Sequence, residues 1–121
     1  MKHLVKGRKF SRVKKVRTAL LKTLLGSFIM REKITTTEAK AKEIKPMIDK
    51  LITKAKKISA DETKRVAVMR DLRTELPLMA ARKISGEFAE KFSTRTSGYT
   101  RILKIAQRKS DGAKMAIIEF V

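Results

Sequence analysis

The sequence predicts an α+β fold, with about four helices packed on a small mixed sheet of three strands and an extended basic N-terminal arm. Three observations predict it. Apolar side chains recur at helical spacing in four successive stretches between Val13 and Phe92, the mark of one buried face per helix. After Gly98 the period shortens to two, as a pleated strand requires, and an Asp-Gly pair separates that run from a second one. Ahead of all this, the opening "MKHLVKGRKFSRVKKVR" holds eight lysines and arginines, one histidine and no carboxylate. The arm spans residues 1–10, and one domain spans 11–121.

The first stripe is Val13, Val16, Leu20, Leu24 and Phe28, widened by Leu21, Leu25 and Ile29, with Ser11 as its candidate N-cap. Gly26 interrupts that helix at about 1 kcal/mol relative to alanine, a cost that close packing would explain. In "KITTT" the β-branched Ile34 and threonines favour a short strand, and Thr36 or Thr37 caps the next helix. Ile44, Met47, Ile48, Leu51, Ile52, Ala55 and Ile58 mark this second helix, which Pro46 is expected to kink. "SADE", Ser59 to Glu62, fits a capping box that opens a third helix with Val66, Met69 and Leu72 on its core face. Thr74 caps a fourth, with Pro77 in its first turn and Leu76, Met79, Ala80, Ile84, Phe88 and Phe92 as its stripe. "YTRILKIAQR" and "MAIIEFV" are then the arms of a hairpin joined through "KSDGAK", with "KITTT" as its third strand.

Charge narrows the function. The formal net charge is +19 over 121 residues, and ten basic side chains precede the first acid, Glu32. Such self-repulsion is tolerated mainly when a polyanion neutralises it, so nucleic acid is the expected partner. With 42% hydrophobic residues the chain as a whole is not compositionally disordered. The arm differs: residues Met1 to about Lys9 have too few apolar groups to offset the entropy of ordering, and are expected to be mobile until nucleic acid binds.

Competing readings of the arm are weaker. A secretory signal needs an unbroken apolar run of about 7 to 15 residues, and here Lys22 divides "ALL" from "TLLG". A mitochondrial presequence fits the scarcity of acids, but this arm is rich in lysine and merges into the first helix. A basic amphipathic helix at an anionic membrane or in a calmodulin-like groove is a further alternative. No stretch approaches the roughly 18 apolar residues of a transmembrane span. The lack of a convincing cleavable leader favours a cytoplasmic protein.

Catalysis finds few groups. There is no cysteine, and the one histidine, His3, lies in the arm, so neither a thiolate site nor a histidine-based metal cluster or nucleophile-base pair is offered. Glu38 with Lys42, and Glu87 with Lys91, fall at helical spacing and read as solvated helix faces. Asp61 and Glu62 suit a helix start, where the dipole favours negative charge. The glycines form no phosphate loop or dinucleotide fingerprint. The chain is expected to be no enzyme and to hold no cofactor or metal.

At "SGYTRILK" the residues meet a resemblance. This octet, with "MAIIEFV", the early "GRKFSR" and the central "ITTTEAKAKEIKPMIDKLITKAKK", closely resembles the bacterial large-subunit ribosomal protein L-seventeen family, in order and over nearly the whole chain. Two positions depart from the family's pattern: Ser97 and Gly98 stand where two glycines are common before the tyrosine, and Val16 with Arg17 stands where a His-Arg pair is common. The resemblance implies a compact α+β protein with structural duties in the cytoplasmic ribosome. It would bind large-subunit ribosomal RNA near the exit of the peptide tunnel, beside neighbouring large-subunit proteins, with no membrane insertion and no small-molecule substrate.

On charge alone the alternative is an architectural DNA-binding protein. The candidate RNA contacts in the arm are Lys2, His3, Lys6, Arg8 and Lys9. Along the first helix they are Arg12, Lys14, Lys15, Arg17 and Lys22, most of which fall away from the apolar stripe. Around the hairpin they are Arg95, Arg101, Lys104, Arg108 and Lys109, and the two basic regions are expected to share one surface. Arginine's forked donors and lysine's compact charge both suit converging phosphates. Tyr99 either stacks on an unpaired base or packs as a half-buried strand residue.

Overall fold

A computed structural model describes His3 and residues 6–121, with all side chains among them except those of Ser59 and Glu87. Lys2 and the side-chain pairing expected of Glu87 with Lys91 lie outside the described residues. The elements follow in the order α1 (Lys14–Arg31), β1 (Lys33–Thr37), α2 (Glu38–Ala60), α3 (Arg65–Glu75), α4 (Leu78–Lys83), β2 (Thr100–Ile105) and β3 (Met115–Phe120). The fold is α+β. The sheet is antiparallel throughout rather than mixed, because β3 lies in the middle and both β1 and β2 run against it.

Helix α2 is the centre of the packing. Ala41, Ile44, Ile48, Leu51, Ile52, Ala55 and Ile58 recur at helical spacing, and all are buried. They meet the inner face of the sheet, supplied by Ala116 and Ile118 of β3 with Ile34 and Ile102 packed beside them. Pro46 does not end the helix, which continues from Glu38 to Ala60. Pro46 lies on the exposed side, where the carbonyl left without its amide partner can be hydrated.

A second cluster is aromatic. Phe120 stacks on Phe28 with ring centroids 4.4 Å apart and meets Phe88 edge-on at 4.9 Å, so α1, the segment after α4 and the last strand close on one another. Phe92 carries the cluster on to Tyr99 at 5.4 Å. The chain reaches this arrangement by breaking the expected fourth helix at Gly86 (φ −94°, ψ −144°), so Ile84, Phe88 and Phe92 are buried without lying on one continuous helix.

Several stripe residues are not core. Val13 is 69% and Val16 51% exposed, since the first turns of α1 extend past the packed layers. Val66 at 62% and Met79 at 60% are also outside the core. Periodicity identifies the apolar side of a helix, but burial requires a neighbour to cover it.

Most of the expected caps are moved. Ser11 lies in a turn with φ +53°, and the N-cap of α1 is Val13, without a side-chain bond. Thr37 does hold the N-cap position of α2, yet its side chain makes no capping bond. The Glu38 amide donates instead to the Lys114 carbonyl at 2.9 Å, tying the start of α2 to the hairpin. Ser59 lies inside α2, and Asp61 is the capping residue, accepting from the Thr63 amide at 3.0 Å. Thr74 lies in the last turn of α3, where its hydroxyl donates to the Asp71 carbonyl, and Pro77 precedes α4 as its N-cap.

Gly26 is explained by Pro77. A Cβ at Gly26 would stand 2.6 Å from Pro77 Cγ and 2.8 Å from Cδ, atoms of a stiff ring. Alanine at this helical site gains about 1 kcal/mol in propensity but meets an overpacking cost of about 1 to 3 kcal/mol. Gly26→Ala should therefore lower the melting temperature despite the better helix former. In a Pro77→Ala background the same change should be neutral or stabilising, and the coupling is readable from a double-mutant cycle of thermal melts.

Candidate nucleic-acid interface

The arm residues enter the structure through a turn. The Arg12 amide donates to the Lys9 carbonyl at 3.2 Å, and Phe10 and Ser11 both take positive φ. Two guanidiniums hold that turn, with Arg12 Nη1 donating to the Phe10 carbonyl at 2.7 Å and Arg17 Nη1 to the Arg12 carbonyl at 3.2 Å. Neither is neutralised there, because a carbonyl carries no net charge. The first turn of α1 contains no acid, and Lys14, Lys15 and Arg17 crowd the positive end of its dipole. An anion outside the chain would relieve that crowding.

One arm residue is fixed to the domain. Arg8 donates from its backbone amide to Glu43 Oε1 at 3.3 Å and from Nη1 to Oε2 at 3.2 Å. Among the arm's described residues, Arg8 is thus held rather than free, whereas the expectation of mobility for Met1, Lys2, Leu4 and Val5 lies outside the described residues.

Arg8 and the hairpin meet at the start of α2. A groove of about 300 Å³ is lined by Arg8, Glu38, Lys42 and Lys114, with Thr37, Ala39 and Ala113 completing it. Lys42 Nζ lies 2.7 Å from Glu38 Oε1 and Lys104 Nζ 3.7 Å from the same oxygen. The hydrogen bond from Lys42, with the charges of Lys104 and Lys114, holds the Glu38 carboxyl below the usual range. The arm and hairpin therefore meet here, with Arg8, Lys42, Lys104 and Lys114 outnumbering the two carboxylates, Glu38 and Glu43. Lys42 and Lys114 were not among the candidate contacts; the spacing that pairs Lys42 with Glu38 on one helix gave no sign of the chain segments that converge there.

On the sheet's outer face one register row places Lys33, Glu119 and Arg101 side by side. Arg101 Nε donates to Glu119 Oε1 at 2.7 Å and Lys33 Nζ lies 3.7 Å from Oε2, and both hold the Glu119 carboxyl low, Arg101 the more strongly. In the hairpin loop Arg108 grips Asp111 with two bonds of 2.9 and 2.7 Å. Gly112, at φ +69°, lets the loop turn so that its amide reaches the Arg108 carbonyl. Arg101, Lys104 and Arg108 thus have carboxylate partners. Lys6, Lys9, Arg12, Lys14, Lys15, Arg17, Lys22, Arg95 and Lys109 make no ion pair among the described residues. His3 is exposed.

Tyr99 packs inward. It is 1% exposed, its ring meets Phe92, and its hydroxyl accepts from Lys56 Nζ at 3.3 Å while donating to the Arg95 carbonyl at 3.4 Å. Lys56 Nζ also bonds the Arg95 carbonyl and stands 5.3 Å over the Tyr99 ring. The stacking expectation is therefore corrected: the ring is covered by protein, and the same bonds fix the Arg95 backbone while leaving its side chain exposed.

Comparison with known proteins is consistent across the chain. A family model described as "Ribosomal protein L17" matches residues 20–121. A protein of Gemmatimonas aurantiaca named "Large ribosomal subunit protein bL17" is 44% identical over 121 residues, covering 100% of this chain and 98% of the relative. Proteins with the same name from Shouchella clausii and Petrotoga mobilis are 42% and 39% identical, covering 93% and 100% of this chain and 97% of each relative.

The Arg108–Asp111 pair sets a pH dependence. The bonds from Arg108 hold the Asp111 carboxyl down to about 2, against an ordinary 3.8. A carboxyl lowered by folding favours the folded loop above its ordinary value, and that contribution fades as pH falls through the folded value. Carboxyl NMR should show Asp111 titrating near 2, and Arg108→Gln should return the midpoint toward 3.8.

Proposed function

The chain belongs to the ribosomal protein L17 family, and from that premise we propose that it is a structural constituent of the large ribosomal subunit. In this reading it acts in the cytoplasm, bound to large-subunit ribosomal RNA near the exit of the peptide tunnel, next to other large-subunit proteins. The family is structural rather than enzymatic. The observation that carries the RNA reading is the distribution of charge: two carboxylates, Glu38 and Glu43, face four cations, Arg8, Lys42, Lys104 and Lys114, where arm and hairpin meet. The start of α1 adds cations without ion pairs among the described residues. Residues 1–10 serve as the RNA-binding arm of a domain spanning 11–121.

The roles divide by geometry. Lys6, Lys9, Lys14, Lys15 and Lys109 offer compact, rotatable charges to phosphate, and Arg95 and Lys22 add to them. Arg12 and Arg17 keep donors available while they brace the turn. Arg8, Arg101, Lys104 and Arg108 contribute field and position, since each shares its charge with a carboxylate. Lys2 and His3 extend the arm in sequence.

If six to eight cations meet phosphate, the log-log slope of affinity against salt should lie at about −4 to −7, from roughly 0.7 to 0.9 per contact. A slope shallower than about −2 in a filter-binding titration with large-subunit RNA would contradict the phosphate-dominated reading. Equal or tighter binding to duplex DNA would favour the architectural alternative.

Deleting Met1 to Lys9 removes Lys2, Lys6, Arg8 and Lys9 and spares every core residue. Helical circular dichroism and cooperative melting should persist, while the salt slope flattens by up to about 3 units. An unchanged slope and affinity would leave the arm without its proposed role.

A further inference from the structure

Away from the arm and hairpin, α3 and α4 enclose a groove of about 380 Å³ whose chemistry differs from that of the basic surface above. Val66, Met69 and Leu78 form its apolar lining, with Val66 62% and Leu78 41% exposed. Arg65, Arg70, Arg73 and Arg82 line the rest, and no lysine or carboxylate joins them. The charge is left over by the way α3 is used. Its two acids, Asp71 and Glu75, both turn to Lys54 of α2, at 3.2 and 3.3 Å. On the groove side only Arg65 has a carboxylate, Glu62, at 4.0 Å; Arg70, Arg73 and Arg82 make no ion pair among the described residues.

We propose that this groove is a protein-docking site that takes an acidic amphipathic helix of a partner, its apolar stripe on Val66, Met69 and Leu78 and its carboxylates on Arg70 and Arg73. Charge complementarity identifies the occupant, because a groove with four guanidiniums, three of them without an ion pair among the described residues, repels basic segments, including a second copy of this +19 chain. The arginines alone would suit phosphate as well, so it is the aliphatic part of the lining that favours protein over RNA. Arginine and methionine are enriched at protein interfaces and lysine is depleted, which matches this lining, whereas single-stranded bases seek aromatic platforms, and the groove has none. Two helices flanking a trough with exposed aliphatic side chains is also the geometry in which a third helix is held by residues spaced three and four apart. The site stands apart from the RNA reading and needs none of the arm or hairpin residues.

The test uses the full-length protein and a designed helical peptide of about 18 residues, with leucines along one face and glutamates beside them. A peptide of identical composition with the stripe scrambled is the control for bulk charge. Fluorescence anisotropy in moderate salt should show the striped peptide binding at least about tenfold more tightly than the scrambled one. Val66→Ser with Leu78→Ser, both at exposed positions that spare the core, should weaken it by about tenfold, and Arg70→Gln with Arg73→Gln should do the same. Binding of large-subunit RNA and of a single-stranded RNA dodecamer should be unchanged by the Val66/Leu78 pair. Equal binding of striped and scrambled peptides would overturn the proposal. So would Val66/Leu78 variants that lose RNA rather than peptide, which would assign the groove to RNA. A failed salt slope in the RNA titration would leave the peptide result standing, so the two readings fail separately.

Discussion

The apolar face of α2, from Ala41 to Ile58, is the surface on which the other elements are assembled. In a chain of net charge +19 the solvent-facing side chains repel one another, so cohesion comes chiefly from burial, and α2 supplies the longest buried stripe. The sheet lies on it through β2 and β3, while α1 and α3 flank it. Its first amide is tied to Lys114 of the hairpin. The position of α2 thus determines where the hairpin stands relative to Arg8, and therefore which cations share a surface.

Charge is then sorted by what the acids do. There are 12 of them against 31 lysines and arginines, and most of those with partners work as fasteners: Glu43 on Arg8, Glu119 across the strands, Asp111 within the hairpin loop, Asp71 and Glu75 on Lys54. Such exposed pairs add little stability each, but they select which cations are neutralised. Among the described residues, cations without an ion pair gather at the start of α1, around the hairpin and in an arginine-rich groove between α3 and α4, while Lys40, Lys45, Lys50 and Lys57 of α2 and Lys64 beyond it are also unpaired. A polyanion can then be bound without disturbing the core, because no residue of the α2 stripe carries charge.

The sequence made the α2 stripe, the third strand and the period change after Gly98 legible, since each depends on local spacing that the fold keeps. Legibility failed where a distant segment decides the outcome. Val13, Val16, Val66 and Met79 have the right period, but no neighbour covers them. Ser11, Ser59 and Thr74 have capping chemistry, but the turns were placed by Pro77, Asp61 and the positive φ at Phe10 and Ser11. Tyr99 was ambiguous because a tyrosine beside arginines suits both base stacking and packing, and it took Phe92 and Lys56 to cover the ring. Arg8 with Glu43 and Lys104 with Glu38 are far apart in the chain, so no local rule pairs them.

The central claim is that the uncompensated cations of the arm, the start of α1 and the hairpin form the RNA-facing surface. Lysine acetylation, read by mass spectrometry on the free protein and on the protein within purified large subunits, tests it residue by residue. Lys6, Lys9, Lys14, Lys15 and Lys109 should react when free and be protected when bound. Lys57 and Lys64 should stay reactive in both, since they lie at or just past the far end of α2, a helix about 34 Å long at 1.5 Å per residue. Protection of Lys57 and Lys64 with Lys14, Lys15 and Lys109 still reactive would contradict the assignment and place the RNA on the opposite end of the molecule.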